Sequence, residues 1–511
     1  MIGFIVRRIL VSILTLVVAS YLMYNLAANS GNPLADLQGS SAINAQQLIQ
    51  TRVQALDLDT PSWLRWFPWF GGVLTCVVPF AGCNLGQNLS YVDVTTILPT
   101  AMVSTVQLVT ASTILAILLG VTIGIVTALR QYSAFDVSIT FLSFFLYSLP
   151  SFLVAVLLKE FIAIGFNDFL ANPVIPPLAI AGIGIVAGLV WQVLIGGDLR
   201  RRLVVFAVSG AATAAVLVAM EATNFFLQPA IGPIGLPILI AGTVAIVVVL
   251  VAGFENRRAL LAAGIVGALA YVAYFSLQWL FDISTPATIA ILAIATVVVS
   301  VLVGFVVGGP DRGQVIRAAV VTGVTSAGFV LLDRFMQAWP DYVSNSRIRG
   351  RPIATAQGTT PGFDSDMWGL GIDNLMHYML PTIALLLISF AGYTRYARAG
   401  MLEVMNQDYI RTARAKGLPE RTVVMRHAFR NMLIPITTIV AADVGALLGG
   451  AIITERVFAI SGMGSLFATS LDRVDLNPLM GYFLIIAVMA ILFNFLADLS
   501  YAALDPRVRV R

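Results

Sequence analysis

The chain has 511 residues, of which 59% are hydrophobic and 11% are charged, and its mean hydropathy is +0.90. Soluble domains carry about 25% charged residues, so this composition excludes a water-soluble protein of this size. Apolar runs near the roughly 20 residues that cross a bilayer recur along the chain. They lack the apolar–polar alternation of membrane β-strands. The composition therefore predicts an all-α polytopic membrane protein.

The charges and the absent motifs exclude several functions. The 30 basic and 26 acidic residues give a net charge of +4, which in a membrane protein reflects basic cytoplasmic loops rather than nucleic-acid binding. The two lysines, Lys159 and Lys416, do not follow glycine, so neither belongs to a P-loop. Two histidines and two cysteines are too few and too scattered for a recognisable zinc site. We expect no nucleic acid, no metal, no cofactor and no ATP site.

The first apolar run, Ile9 to Leu26, follows two arginines and is either a signal peptide or a retained helix. No clear small-x-small cleavage site follows it, so we interpret it as the first membrane helix. Hydropathy predicts about twelve spans, at approximately 9–27, 99–129, 135–158, 174–197, 203–223, 234–254, 259–281, 286–308, 315–333, 375–400, 432–454 and 479–501.

The basic residues predict the orientation of these spans. If the N-terminus begins in the cytoplasm and sides alternate, 21 of the 30 basic residues fall inside, as the positive-inside tendency requires. Both termini are then cytoplasmic. Residues 28–98 and 334–374 form external segments, and residues 401–431 form the one sizeable cytoplasmic segment. Anything that docks from the cytoplasm is expected to dock there.

The cytoplasmic segment 401–431, here called the coupling segment, contains DYIRTARAKGLPERT from Asp408 onward. The pattern predicts two short helices, because Gly417 suits a left-handed C-cap and Pro419 suits the first turn of the next helix. Small residues, Ala413 and Ala415, would let another surface approach closely, beside a basic edge formed by Arg411, Arg414 and Lys416. An amphipathic loop on anionic lipid is the alternative interpretation.

This segment, with the spacing of Ala413, Gly417 and Ile434-Pro435, resembles the coupling loop of binding-protein-dependent ABC permeases. The resemblance extends to VRRILVSILTLVVASYLMYNLAANSGNP, ALDLDTPSWLRW, NLGQNL, LPTAMVSTVQL, LYSLPSF, HYMLPTIAL, GALLGGAIITERVFAISGMG and ALDPRVR, which occur in family order. Together these motifs cover roughly residues 1–160 and 375–511. The chain is most similar to the first of the two paired permease subunits of dipeptide, oligopeptide and nickel importers.

The resemblance implies a type I ABC importer permease-like helical bundle in the bacterial cytoplasmic membrane. It implies a peptide substrate, a second homologous permease, two ATPase subunits that supply ATP hydrolysis, an external substrate-binding protein and contact with membrane lipid. The residues expected to couple to the ATPase are Arg411, Ala413, Arg414, Lys416, Gly417 and Leu418. A secondary transporter and a non-transporting membrane scaffold remain the alternatives.

The chain departs from the family pattern in its middle. Residues 165–333, here called the inserted block, hold about six extra spans between the family's third and fourth helices. They are either a lipid-facing, stabilising appendage or a regulatory, partner-binding module. The expected division of the chain is 1–27 first helix, 28–98 external segment, 99–160 permease helices, 165–333 inserted block, 334–374 external segment and 375–511 permease core.

Two acids and two cysteines complete the candidate residues. Asp443 lies inside a predicted span, where acids usually face a cavity or a partner, so it contacts either a substrate amine or a neighbouring helix. Glu455, at the outer end of that span, matches an acidic position of the family and is either a gate or an interfacial residue. Both are candidate translocation-pathway residues. Cys76 and Cys83, on an external and oxidising side, are either a disulfide or two free thiols.

Overall fold

The computed structural model describes residues 2–39, 44–76, 82–448 and 451–504. These residues form an all-α fold, in which one isolated bridge joins Gln87 to Asp93. The first eight helices are α1 Ile2–Ala28, α2 Ala35–Gln38, α3 Ala45–Ala55, α4 Ser62–Thr75, α5 Val94–Leu129, α6 Ala134–Ser148, α7 Ser151–Leu157 and α8 Gly165–Ala171. A π-helical segment, Leu158–Ile164, joins α7 to α8.

The remaining helices belong to the middle and the C-terminal part of the chain. The middle helices are α9 Pro177–Ile195, α10 Leu199–Ala222, α11 Gly232–Val251, α12 Arg257–Ser276, α13 Gln278–Asp282, α14 Pro286–Gly308 and α15 Arg312–Ser344. The last seven are α16 Met367–Met405, α17 Asp408–Ala415, α18 Glu420–Thr422, α19 Phe429–Leu448, α20 Ile452–Val457, α21 Met463–Asp472 and α22 Leu476–Leu504. A second π-helical segment, Val423–Ala428, leads into α19.

Nine helices in the described part of the chain are long and apolar enough to cross a membrane, or ten if a bent pair is one span. One of the nine, Pro286–Ser344, has 59 residues and as a straight helix would be about 90 Å long, three times the hydrocarbon thickness. It is a hairpin of α14 and α15, because Gly304 packs on Ile316 and Gly323 on Ser300. This candidate therefore supplies two helices of spanning length, and the total of twelve spans stays a prediction.

The predicted span 135–158 is not one straight helix. α6 and the helices that follow Pro150 meet at an angle of 102°. Leu149 is extended, with φ −77° and ψ 131°, as expected for a residue before proline. The proline has no N–H to continue the helical ladder. By contrast, Pro381 lies inside the continuous helix α16.

Polar contacts between remote segments agree with the predicted alternation of sides. On the predicted outer side, Arg334 pairs with Asp282, Trp339 donates to the carbonyl of Phe226, and Asn167 bonds the backbone of Ile353. On the predicted inner side, Arg130 donates to the carbonyl of Leu194, Arg398 pairs with Asp136, and Arg421 donates to the carbonyl of Leu250. Each contact joins two segments that the charge pattern places on the same side.

Helices α5 and α16 form the closest packing in the permease part. A Cβ added at Gly120 would lie 2.8 Å from the Cβ of Tyr393, and one at Gly124 would lie 2.6 Å from the carbonyl oxygen of Thr394. Both distances are far below ordinary contact, so only glycine allows this approach. Small residues are the common means by which membrane helices pack without a hydrophobic driving force.

The inserted block has two parts. Helices α9 and α10 form a hairpin in which the two helices contact each other at Gly184 and Gly210. None of the residues of α10 is buried. Helices α11, α12, α14 and α15 form a bundle whose inner half encloses a cluster of small apolar side chains, Val247, Ala259, Ala262, Val266, Val315, Ala318 and Ala319. The outer end of this bundle packs on α16, where Phe335 lies against Gly371 and Trp368.

The first external segment is anchored to both ends of the permease part. Trp66 and Trp69 of α4 pack against the aromatic side chains of α1. Cys76 and Cys83 are joined as a disulfide. Asp475, in the turn before α22, accepts a hydrogen bond from the backbone N–H of Leu89 at 2.9 Å, which ties the segment to the C-terminal helix.

Candidate functional site

The coupling segment folds around a helix C-cap at Gly417. Its φ of +74° is the left-handed conformation that glycine adopts at no steric cost. The N–H of Gly417 donates to the carbonyl of Arg414, and that of Leu418 to the carbonyl of Ala413, which is the Schellman pattern. Pro419 then precedes α18. The predicted break between two short helices is confirmed in this backbone geometry.

The two faces of α17 are different. Ile410 and Ala413 are buried in a cluster of apolar side chains from α16, the second π-helical segment and α19. Ala413 therefore supports the segment from within its own chain. The other five predicted coupling residues are exposed, namely Arg411, Arg414, Lys416, Gly417 and Leu418. Ala415 is exposed as well. α17 thus presents a basic, solvent-facing edge on a rigid apolar base.

An ion pair closes the turn. The guanidinium of Arg414 donates two hydrogen bonds to the carboxylate of Glu420, at 3.1 and 2.6 Å. This bidentate geometry holds the pKa of Glu420 below its usual value, the hydrogen bond from Arg414 being the main cause. Both side chains are exposed, so the pair fixes the shape of the turn more than it stabilises the protein.

The coupling segment also touches the inserted block. Arg421, at the start of the second short helix, donates a hydrogen bond to the carbonyl of Leu250 at 3.1 Å. Leu250 lies in the last turn of α11, where the final carbonyls have no partner within the helix. The block is therefore attached to the permease part at its inner end through Arg421, as well as at its outer end through α16.

A partly buried ion pair lies close to the start of this segment. Arg398 of α16 donates to both oxygens of Asp136, at 2.8 and 3.0 Å, and the N–H of Tyr132 donates to the same carboxylate. Asp136 is 3% exposed and begins α6. Asp136 was not among the predicted site residues, although its spacing of three residues after the N-cap Ser133 is the pattern that marks a helix start.

Asp443 lies on α19 and faces Tyr393 of α16. In this single chain its side chain is exposed, although it lies deep within the predicted span 432–454. An exposed carboxylate at that depth needs a water-filled cavity or a partner molecule to face. Asp443 therefore interacts with the neighbouring helix α16 through Tyr393 and also keeps an exposed face; its predicted role in the pathway stays a prediction.

Glu455 is fully buried and has a structural environment. Its carboxylate accepts hydrogen bonds from Thr105 of α5 and from the backbone N–H of Ser465, both at 2.8 Å. Thr105 in turn accepts from the N–H of Met463. Glu455 therefore caps the N-terminus of α21, where the helix dipole and free N–H groups favour an anion. Its predicted role in the pathway stays a prediction.

Two further buried acids were not among the sequence candidates. Asp333 of α15 accepts from the backbone N–H groups of Ile231 and Gly232 and so caps α11. Asp373 of α16 accepts from Thr360 and Tyr342 at the outer side. Each also has a polar neighbour one helical turn away, Gln337 for Asp333 and His377 for Asp373.

Residues 261–510 match the family model of the binding-protein-dependent transport system inner membrane component. This range begins within the inserted block. The dipeptide transport system permease protein DppB of Escherichia coli K12 is 44% identical over 149 residues, which are 29% of this chain and 44% of that protein. The oligopeptide transport system permease protein OppB of Mycobacterium tuberculosis H37Rv is 41% identical over 152 residues, 30% of this chain and 47% of that protein.

The oligopeptide transport system permease protein AppB of Bacillus subtilis 168 is 42% identical over 136 residues, 27% of this chain and 43% of that protein. The chain thus spans about half the length of the curated relatives it matches, or slightly less. The matched family range contains the coupling segment, Asp443 and Glu455. The matched range is just under half of this chain, and this part is similar to the inner membrane components of binding-protein-dependent transport systems.

Proposed function

We propose that the chain is the permease subunit of an ATP-binding-cassette importer that moves dipeptides or oligopeptides across the cytoplasmic membrane of a bacterium. It forms half of the translocation pathway, and a second homologous permease forms the other half. Two ATPase subunits bind from the cytoplasm, and an external substrate-binding protein delivers the peptide. Both termini are cytoplasmic.

The observation that carries this proposal is the coupling segment. A lone amphipathic loop on lipid needs no fixed shape, whereas this segment combines a buried apolar base, a Schellman turn at Gly417 and an ion pair across that turn. The result is a preformed, exposed basic edge on the inner side. Such preorganisation is useful for docking a partner protein, because it reduces the ordering cost of binding.

The peptide substrate is supported by the relatives and by Asp443. The three relatives are named as dipeptide or oligopeptide permeases. Asp443 presents a carboxylate within a predicted span, and a peptide brings a free α-amino group as its natural counter-charge. The pair would form only while the peptide is in the pathway.

Two of the buried acids, Asp136 and Asp333, have partners within the fold, which weighs against a secondary transporter. A proton or sodium relay needs several acids that face a common cavity within the membrane. Asp136 is occupied by Arg398, and Asp333 caps α11. These two acids are therefore explained by contacts within the fold.

The test is uptake of labelled di- and tetrapeptides by the complete assembly in lipid vesicles. ATP is supplied on the side of the membrane where the ATPase subunits bind. The wild type is compared with the variant Asp443→Asn. The Asp443→Asn substitution is expected to raise KM for peptides with a free amino group and to leave KM for N-acetylated peptides unchanged. Asp311→Asn, in the inner turn between α14 and α15, is the matched control and is expected to behave as wild type.

The outcome separates the three functions. Uptake that depends on ATP supports the importer. Uptake that runs on a proton or sodium gradient without ATP would identify a secondary transporter. An intact assembly that takes up no solute under either condition would favour the scaffold.

A further inference from the structure

A buried polar cluster lies at the outer end of α16, apart from the coupling segment and from Asp443. His377 and Asp373 are one helical turn apart on α16, and Thr360 reaches them from the second external segment. The Oγ1 of Thr360 lies 2.6 Å from Oδ1 of Asp373 and 3.0 Å from Nε2 of His377. Both α16 side chains are about 95% buried. We call these three residues the outer cluster.

When both contacts of the Thr360 hydroxyl are hydrogen bonds, the hydrogens in the outer cluster require an extra proton. The Nδ1 of His377 lies 3.0 Å from the carbonyl oxygen of Gln357, which can only accept, so Nδ1 carries a hydrogen. The Thr360 hydroxyl has one hydrogen, yet it contacts both Asp373 and Nε2 of His377. If the hydroxyl donates to Asp373, Nε2 must donate to the hydroxyl oxygen, and the imidazole is then protonated.

The alternative arrangement gives the same count. If the hydroxyl donates to Nε2 of His377, Asp373 must itself carry a hydrogen and donate it to the hydroxyl oxygen. Either way the cluster contains one proton more than a neutral imidazole and an ionised carboxylate would supply. Such a proton belongs to the group as a whole rather than to one residue. When it leaves, one of the two contacts of Thr360 has no hydrogen and is lost.

The contacts of the outer cluster fasten an otherwise irregular segment. Asp373 also accepts from the N–H of Thr360 at 3.0 Å, and His377 holds Gln357. The N–H of Gln357 continues the chain of contacts by donating to the carbonyl of Phe458 at 2.8 Å, close to Glu455 and α21. The cluster therefore connects α16, the second external segment and the turn after α20.

We propose that the outer cluster is a proton-binding latch, which holds residues 355–363 against α16 and releases them when external pH rises. The proton is taken up from and returned to the external side, so the latch moves no proton across the membrane. This proposal does not depend on the importer function.

The charged and titratable groups around the cluster come from three other elements. Tyr342 of α15 donates to Asp373 at 3.2 Å. Arg347 and Arg351 line a cleft of about 380 Å³ that also borders His377, and Arg351 pairs with Asp168 of α8 at 3.3 Å. The cleft gives water, and hence protons, a route to the site.

The test is hydrogen exchange of the full chain in lipid nanodiscs between pH 5.5 and 8.5, corrected for the intrinsic pH dependence of exchange. Protection of residues 355–363 is expected to fall about fivefold or more as pH rises, the effect of losing one hydrogen bond. The N–H groups of Ile231 and Gly232, held by Asp333, are the internal reference and are expected to keep their protection. In His377→Gln the pH dependence of residues 355–363 is expected to disappear.

The chain has only two histidines, so the second one, His427, supplies a matched control. His427→Gln removes the histidine of the coupling segment and is expected to leave the pH dependence intact. If His377→Gln does not fold, the ring carbon signal of a ¹³C-labelled histidine in the His427→Gln protein reports His377 alone. That signal is expected to titrate over the same pH range as the protection. Protection that does not vary with pH in the wild type, or a His377 signal that does not titrate between pH 5 and 9, would overturn the latch.

Discussion

Gly417 offers the sharpest test of the coupling segment, because its conformation and its surroundings have separable effects. A residue with a Cβ in the left-handed region costs roughly 1–2 kcal/mol, so Gly417→Ala carries this cost through its φ of +74°. In the described part of the chain, no atom outside its immediate neighbours lies within 4 Å of the added Cβ. The backbone cost of Gly417→Leu is therefore expected to equal that of Gly417→Ala, with open space around the Cβ in both variants.

Any further loss in Gly417→Leu, relative to Gly417→Ala, must then come from a partner that packs on the exposed edge. We expect the two variants to lower the thermal stability of the isolated chain equally, and both to insert normally into the membrane. In the assembly, Gly417→Ala is expected to retain most ATPase binding. Gly417→Leu is expected to lose at least tenfold in co-purified ATPase and to abolish substrate-stimulated hydrolysis and transport.

Gly417→Asn is the second control, since asparagine tolerates the left-handed region better than other residues with a Cβ, and it is expected to lie between glycine and alanine in stability. The assays are thermal unfolding of the isolated chain, ATPase co-purification, and hydrolysis by the reconstituted complex. Full transport by Gly417→Leu would refute the docking role. Equal losses by the alanine and leucine variants would show that only the turn conformation matters.

Three other predictions concern the topology, the disulfide and a buried carboxyl. Single cysteines introduced into the inner turns of the inserted block should react only with reagents that reach the cytoplasm, at positions near Arg201, Arg258 and Arg312; labelling from outside would contradict the orientation. A thiol reagent should label neither native cysteine until a reductant is added, and labelling of both in the untreated protein would show two free thiols. Burial raises the pKa of Asp475 to about 6, so ionisation of this carboxyl lowers the free energy of unfolding. The loss is absent below about pH 4, grows as pH rises to 6 and reaches up to about 3 kcal/mol. The wild type should therefore gain stability relative to Asp475→Asn as pH falls from 7 to 4 in thermal unfolding, and a pH-independent difference would contradict this assignment.

The features that the sequence predicts well are those with local causes. The turn at Gly417 and Pro419 follows from the backbone preferences of two residues, and it appears as expected. The helical class follows from the length and apolar character of the runs. Likewise, Pro150 marks a weak point in a predicted span, but the 102° bend there depends on packing that the local sequence does not specify.

Features with distant causes were missed. Asp136 and Arg398 are 262 residues apart, and Asp333 is 102 residues from the N–H of Ile231 that it binds. The residues that these two carboxylates bind across the fold lie far away in the sequence, so the local pattern does not reveal these contacts. The burial of Ala413 was also unforeseen, since a small residue on an amphipathic helix fits either face until the packing partners are known.

The glycine contact between α5 and α16 has a consequence for how the chain is made. α16 begins 238 residues after α5 ends (367 − 129), so a ribosome adding about 5–20 residues per second needs on the order of 10 to 50 s to supply it. During that interval α5 is in the bilayer without its closest neighbour, with Gly120, Gly124 and Thr105 not yet covered by α16 or by the turn before α21. The intervening helices of the inserted block lengthen this wait. Biogenesis of this protein is therefore expected to depend on an insertase or chaperone that holds α5 until its partner arrives, and pulse-chase crosslinking of cysteines at the α5–α16 contact would measure the delay.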